Sequence, residues 1–231
     1  MFCPFREPSR ELIINRLDPC LAIGRTTILM EFGSSGSNSR AKILDQLRRQ
    51  IVPEVSLPEV VDGPWITYPD PVEKFVEMVR FAGGSCELVS DVAAIDTALR
   101  SISTFQQAKQ VFSAVPGIHG NVEMAKVQDA HELENLDFVV YPGQLAVAEN
   151  GAVWLSDRDL RHRVCFFITQ FLVLVVRREQ IVHNMHQAYA LAKPPQPGFG
   201  LFLAGPSKTA DIEQSLVIGA HGCRELQVFV L

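Results

Sequence analysis

The segment GPSKTADIEQSLVIGAHG, which begins at Gly205, combines residue types that bind and activate small anions. If a helix starts here, its free backbone N–H groups attract negative charge, and Ser207, Lys208 and Thr209 would surround the anion. The segment is not a P-loop, because that motif places its lysine directly after the last glycine. Two residues separate Gly205 from Lys208. An anion-binding loop of another kind is therefore the functional alternative that this pattern leaves open.

A purely structural interpretation explains the same residue types. Thr209 is a favourable N-cap for a helix over residues 209–220, and Asp211 and Glu213 complement the positive end of such a helix. Each feature contributes roughly 0.3–1 kcal/mol, which accounts for these residues without a ligand. Spacing alone favours this capped helix over an anion site.

Other residues are candidates for acid–base chemistry or for anchoring a ligand. Glu149 lies in a glycine-bounded loop between two apolar runs, where its carboxylate either approaches a crevice or is simply solvated. His221 follows the predicted helix end, where an imidazole binds the last carbonyl groups or faces the crevice. The candidate catalytic residues are Glu149, Asp211 and His221, and the candidate ligand-binding residues are Gly205, Ser207, Lys208, Thr209, Glu149 and Gly151.

A metal site is the weakest of the candidate sites. His183 and His186 are three residues apart on a predicted helix, so their imidazoles share one face. The sequence ties no third ligand to them, and the H-E-x-x-H pattern is absent. The expectation is therefore that the chain holds no metal.

The elements that must position these residues alternate between strand and helix. The segments with helical spacing or caps are residues 39–51, 70–82, 91–102, 178–192 and 209–220. Strands are predicted at 85–90, 109–113, 170–176, 198–205 and 226–231, and the segment 136–156 as a strand, a loop and a second strand. This alternation predicts an α/β fold with a mostly parallel sheet covered on both faces. The run FLVLVV at 171–176 has no polar face and should be the central strand.

The location of a ligand follows from this architecture. Parallel sheets bind ligands in a crevice beyond the carboxyl ends of their strands. The loops YPGQLAVAENG and GPSKT both follow predicted strands. We therefore expect Glu149, Ser207, Lys208, Thr209, Asp211 and His221 to gather around one concave site.

Composition and charge exclude several classes of protein. Hydrophobic residues make up 47% of the chain, and the net charge of −5 argues against a nucleic-acid platform, which would carry a basic stripe. The five scattered cysteines show no iron–sulfur or zinc spacing and fit a reducing compartment. The apolar run at 164–176 is too short for a membrane span, which needs roughly 20 residues. The charged N-terminal segment is not a secretory signal, so a cytoplasmic location is expected.

The chain divides by composition into two parts. Residues 1–37 end in the small, polar sequence FGSSGSNS and are predicted to be an arm with a Gly/Ser linker. Met30 is a second possible start, and an N-terminal strand docked on the domain is the alternative. Residues 38–231 form the predicted α/β domain.

The segment GPSKTADIEQSLVIGAHG closely resembles the C-terminal signature of the lactate utilization protein C family, the LUD-domain or YkgG-type family. The segments ENGAVW at 149–154, LDFVV at 136–140 and SRAKILDQLR at 39–48 extend the resemblance over residues 38–231. It implies a three-layer α/β/α fold with a mostly parallel sheet, like that of the ribose-5-phosphate isomerase and CoA-transferase superfamily.

The resemblance also implies a function, the oxidation of L-lactate to pyruvate. The chain would be the cluster-free member of three proteins of a lactate utilization operon, and its two partners would carry the iron–sulfur clusters. This chain would then need no cofactor of its own and would act as an accessory subunit of an oxidoreductase complex. The alternative is a free-standing enzyme or binder of a small carboxylate or phosphorylated metabolite, since a fold does not fix a function.

Overall fold

The computed structural model describes residues 39–49, 55–56, 63–193, 198–209 and 217–231. The chain divides into two units, Met1–Ser56 and Leu57–Leu231. In the first unit, helix α1 (Ser39–Arg49) begins at the predicted residue and buries none of its side chains. The predicted arm at 1–37 and the candidate start at Met30 lie outside the described residues, so that domain boundary stays a prediction.

A five-stranded sheet forms the centre of the second unit, and every neighbouring pair of its strands is parallel. Its strands in spatial order are β1 (Ser85–Leu88), β11 (Glu225–Val230), β6 (Phe171–Val176), β3 (Phe138–Pro142) and β2 (Val111–Ser113). Strand β6 is the middle strand, and all its residues except Phe171 are buried. The predicted α/β class with a mostly parallel sheet and the central position of FLVLVV are both confirmed.

The helices that flank β1 start and stop where their sequences predict. Helix α2 (Pro71–Phe81) has proline at its first position, and the Asp70 carboxylate accepts hydrogen bonds from the N–H groups of Val72 and Glu73. It ends before Gly83, whose φ of 87° is left-handed. Helix α3 (Val92–Ser101) is capped by Asp91, which accepts from the Ala94 N–H group.

Different layers cover the two faces of the parallel sheet. On one face lie α3 and the short helix α4 (Ser103–Gln106), with Ile95 and Leu99 of α3 packed on Val140, Val173 and Phe229. On the other face, α2 shares its core with a second sheet. This second sheet was not predicted, although two of its strands, β5 (Ala152–Ser156) and β8 (Gly200–Leu203), coincide with predicted strands.

The second sheet is mixed and has four strands. Their spatial order is β7 (Ile181–Val182), β4 (Leu145–Val147), β5 (Ala152–Ser156) and β8 (Gly200–Leu203). Strands β4 and β7 are parallel, whereas β5 is antiparallel to both β4 and β8. Its other face packs on helix α6 (Met185–Leu191) through Trp154 and Ala188. The predicted helix over 178–192 is therefore wrong before Met185, where a 3-10 turn and β7 occur instead.

The remaining elements are short. Helix α5 (Cys165–Ile168) precedes β6, and β9 (Lys208–Thr209) pairs antiparallel with β10 (Val217–Ile218). The predicted helix over 209–220 is therefore wrong at both of its ends, while residues 210–216 lie outside the described residues. β-branched residues at both ends favour strands over helices, which accounts for the error. Within the described part of the chain, no helix is long and apolar enough to cross a membrane.

Candidate functional site

Helix α2 receives the glycines of both candidate loops. Gly205 and Gly151 have φ angles of 70° and 69° and lie against the helix backbone. A Cβ atom at Gly205 would lie 2.4 Å from the Ala82 carbonyl oxygen, and one at Gly151 would lie 2.7 Å from the Val79 nitrogen. Only glycine fits at either position. The two loops therefore dock on α2 about one helical turn apart.

The cation of the motif contacts the end of the same helix. The exposed Lys208 side chain donates a hydrogen bond from Nζ to the carbonyl oxygen of Ala82, the C-cap residue of α2. Carbonyl groups at a helix C-terminus carry partial negative charge and favour a lysine there. Lys208 thus fastens β9 to α2.

Ser207 joins the two ends of the motif. Its N–H group donates to the Cys223 carbonyl at 2.9 Å, and its own carbonyl accepts from the Gly219 N–H group at 3.0 Å. Gly222 is so close that a Cβ there would lie 3.0 Å from the Ser207 Cβ. His221 is exposed in this loop. The Gly-Pro-Ser-Lys and His-Gly parts of the motif are therefore neighbours, whereas Asp211 lies outside the described residues.

The motif lies at the amino ends of the parallel strands, not at their carboxyl ends. Ala82, which accepts from Lys208, precedes β1, and Cys223, which accepts from Ser207, precedes β11. The expected position was wrong because the strand before the motif, β8, belongs to the second sheet. Its end is therefore not an end of the parallel sheet.

Glu149 stabilises the start of helix α6. Its Oε2 atom accepts a hydrogen bond from the Met185 N–H group at 2.9 Å, and the N-cap of that helix is the buried Asn184. A carboxylate at this end of a helix is favoured by the free N–H groups there. Glu149 itself is exposed. The structure thus gives Glu149 a structural contact, and its part in any chemistry stays a prediction.

The two histidines considered as metal ligands contact aromatic residues instead. The Nδ1 atom of His183 accepts from the Tyr68 N–H group at 3.1 Å, and the His186 ring stacks on Trp65 with centroids 3.6 Å apart. His183 also precedes α6, so the two residues do not share a helix face. Among the described residues, no group of three or more His, Cys, Asp or Glu side chains could hold a metal ion.

The Trp65–Tyr68 segment itself was missed by the sequence analysis. Asn184 joins it to α6, because its Nδ2 group donates to the Ile66 carbonyl at 2.9 Å. These two aromatic residues follow a proline-rich segment that carries no periodic pattern. Their partners lie more than a hundred positions further along the chain, so no local signal identifies them.

A cavity of about 510 Å³ occupies the carboxyl ends of the parallel strands. Its lining residues are Val92, Val115, Pro116, Pro142, Gly143, Gln144, Val175, Arg177, Gln180 and Leu231. Among the side chains of this lining, only that of Arg177 is charged, and Arg177 directly follows β6. Arg177 is not among the candidate residues predicted from the sequence, although a cation placed directly after a buried parallel strand is a usable signal. The location is the one that parallel sheets use for ligands.

Glu149 and this cavity lie at opposite ends of the same strand pair. Strands β4 and β7 run parallel from Gln144 and Gln180, which line the cavity, towards Glu149 and His183. Residues along a strand are about 3.3 Å apart, so Glu149, five residues after Gln144, lies roughly 15 Å beyond the cavity wall. Glu149 therefore belongs to the α6 contact and not to the cavity.

The buried titratable groups of the core stay protonated. Burial raises the pKa of the Cys86 and Cys165 thiols to about 11, and it also raises the pKa of the Cys223 thiol. Burial raises the pKa of Tyr141 to about 12, and its hydroxyl donates to the Ser156 carbonyl at 2.9 Å. A thiol must ionise to act as a nucleophile, so these cysteines are structural.

The chain is similar to several curated proteins. Lactate utilization protein C from Deinococcus radiodurans is 38% identical over 103 residues, and lactate utilization protein C from Geobacillus kaustophilus is 33% identical over 100 residues. These alignments cover 43% and 41% of this chain. They cover 49% and 41% of the relatives, so the chain matches about half or less of their length.

A solved structure and a family model extend the comparison. The crystal structure of a DUF162 family protein from Deinococcus radiodurans aligns with a TM-score of 0.50, covering 69% of this chain and 95% of that chain. Its sequence is 22% identical, so this similarity concerns the fold alone. The LUD domain model matches residues 72–231, which begin in α2 and include Gly151, Gly205, the paired strands β9 and β10 and the whole parallel sheet. The chain therefore belongs to the LUD domain family.

Proposed function

We propose that this chain acts in the oxidation of L-lactate to pyruvate, as a cluster-free accessory subunit that works with two iron–sulfur proteins. The observation that carries the proposal is the match of the LUD domain to residues 72–231, together with relatives named lactate utilization protein C. The oxidation releases two electrons and two protons. In this proposal the iron–sulfur clusters of the partners accept the electrons.

The contacts of the motif support an accessory role. Lys208 is hydrogen-bonded to the end of α2, and Glu149 is hydrogen-bonded to the start of α6. Both charged side chains therefore hold elements of the fold together. The described cysteines are buried and carry raised pKa values, which does not suit cluster ligation. A cytoplasmic location fits the reducing environment that such an assembly requires.

Growth on lactate tests this proposal. A strain that lacks the gene should fail to grow with L-lactate as its sole carbon source and should grow normally on pyruvate. Restoring the full-length chain should restore growth, and affinity purification of that chain should recover two cysteine-rich iron–sulfur proteins. Normal growth of the deletion strain on L-lactate would contradict the proposal.

A second candidate function is binding of a small organic anion by the free chain. The observation that favours it is the cavity at the carboxyl ends of the parallel strands, with Arg177 as its cation. This binding does not exclude the accessory role. It can be measured on the chain alone.

A further inference from the structure

The cavity beside Arg177 is formed where four parallel strands end. Residues of its lining lie at the ends of β2, β3, β6 and β11 or within two residues after them. Val92 at the start of α3 closes one side. Its volume of about 510 Å³ is typical of pockets that hold small organic ligands. Neither the motif residues nor the Glu149 contact takes part in this lining.

Most of the lining is apolar. The apolar lining residues are Val92, Val115, Pro116, Pro142, Val175 and Leu231. Such a wall favours a ligand with a hydrocarbon body, because burying each methylene group contributes about 0.8 kcal/mol. Strongly hydrated inorganic phosphate has no body of this kind.

Arg177 supplies the charge. Its side chain is exposed, and among the described residues no carboxylate lies within ion-pair distance of it. A guanidinium group binds a carboxylate through two parallel hydrogen bonds. The lining side chains therefore combine one cation with an apolar wall, which matches an organic monocarboxylate.

Gln180 adds a donor in a fixed orientation. Its Oε1 atom accepts a hydrogen bond from the Arg177 N–H group at 2.8 Å. Because a main-chain N–H group can only donate, the oxygen of the amide must face it. The Nε2 group of Gln180 is then left to donate to a ligand. This amide is half-buried, so its geometry is set before any ligand arrives.

The neighbouring turn is also held in place. The Gly143 N–H group donates to the Val175 carbonyl at 2.8 Å, and the Gln144 side chain is hydrogen-bonded to the buried Ser156 hydroxyl at 2.8 Å. A wall held by such bonds loses little conformational entropy when a ligand binds. The cavity is therefore preorganised.

We infer that this cavity binds an organic monocarboxylate with an apolar body, with the carboxylate on Arg177 and on the Gln180 amide nitrogen. The hydrocarbon body lies against Val115, Val175 and Leu231. This binding rests on the second candidate function given above and is independent of the role in lactate oxidation, because it concerns the chain on its own.

Titration calorimetry of the full chain with acetate, butanoate and hexanoate tests the inference. The association constant should rise about fourfold for each added methylene group, as burial of hydrocarbon requires. The uncharged analogue 1-hexanol should bind more weakly than hexanoate. An association constant that is the same for all three carboxylates would overturn the inference.

Two substitutions and a matched control locate the site. Arg177→Gln should lower hexanoate affinity at least about tenfold, because a charged hydrogen bond is lost. Gln180→Glu keeps the oxygen that accepts from Arg177 but introduces a repelling carboxylate, so it should abolish hexanoate binding while the melting temperature holds. Arg178→Gln makes the same charge change at an exposed neighbour outside the lining and should leave affinity unchanged. Equal losses in Arg177→Gln and Arg178→Gln, or normal binding by Gln180→Glu, would overturn the assignment.

Discussion

The Lys208 side chain donates a hydrogen bond to the carbonyl oxygen of Ala82, the residue that caps the C-terminus of helix α2. The two residues are 126 positions apart. This contact brings the Gly-Pro-Ser-Lys motif to the amino ends of the parallel strands. The contact gives Lys208 a structural partner, so removing the Lys208 side chain should lower the stability of the folded protein.

Lys208→Ala should lower the free energy of unfolding by about 0.5–1 kcal/mol, because the C-terminal carbonyl groups of α2 lose a cationic donor. Lys208→Arg should recover most of this loss. Urea denaturation measures both, with Lys109→Ala as a control at another exposed lysine. Unchanged stability combined with lower activity of Lys208→Ala would support an anion-binding role instead.

Gly205→Ala and Gly151→Ala should each destabilise the protein by at least about 2 kcal/mol. Left-handed backbone strain adds to a clash of the new Cβ with the α2 backbone. Gly117→Ala is the matched control, since its φ is 92° but its Cβ would meet only a Val92 side-chain atom at 3.2 Å. Thermal unfolding should rank Gly117→Ala as clearly the mildest of the three, and a similar loss in all three would contradict the close docking on α2.

Glu149→Ala should destabilise the protein by about 0.5–1 kcal/mol, because the Met185 N–H group loses its acceptor. Glu149→Gln retains an amide oxygen and should remain close to wild type in stability. Glu149→Ala and Glu149→Gln together also distinguish a structural role of Glu149 from a chemical one. If Glu149 transfers protons, Glu149→Gln should abolish the activity of the assembly while leaving its melting temperature unchanged.

Stability should fall as the pH rises from about 9 to about 11. The folded-state pKa values of Cys86 and Cys165 are raised by burial to about 11 from 9.0. Groups with raised folded pKa values contribute stability below their unfolded pKa, and this contribution is lost as the pH rises through the folded value. Urea unfolding at about pH 8 and about pH 10.5 measures the loss. A Cys86→Ala, Cys165→Ala double variant should show a weaker pH dependence, and an identical dependence would contradict this cause.

The sequence predicts the elements whose signals are local. The apolar run of β6 and the caps Asp70 and Asp91 identify their strand and helices, because an unbroken apolar run and a capping side chain are both visible within a few neighbouring residues. Local sequence signals do not predict the second sheet. Its strands β4 and β7 have three and two residues, and their pairing joins segments more than thirty positions apart.

The candidate site could be predicted only in part. The motif and its glycines are visible in the sequence, but their partner is the backbone of α2, which no spacing rule identifies. Thr209 and Val217 illustrate the error in element type, since their β-branched side chains pair in a hairpin where capping signals predicted a helix. Arg177 directly follows β6. This position identifies it as a cavity residue only once the direction of the sheet is known.

The rate of electron transfer from L-lactate in a purified assembly tests the central proposal most directly. The two iron–sulfur proteins are mixed with L-lactate, with and without this chain, and reduction of their clusters is followed by absorbance. The proposal predicts rapid, stereospecific reduction with pyruvate formed only when the chain is present. Equal rates of L-lactate-dependent reduction with and without the chain would contradict it.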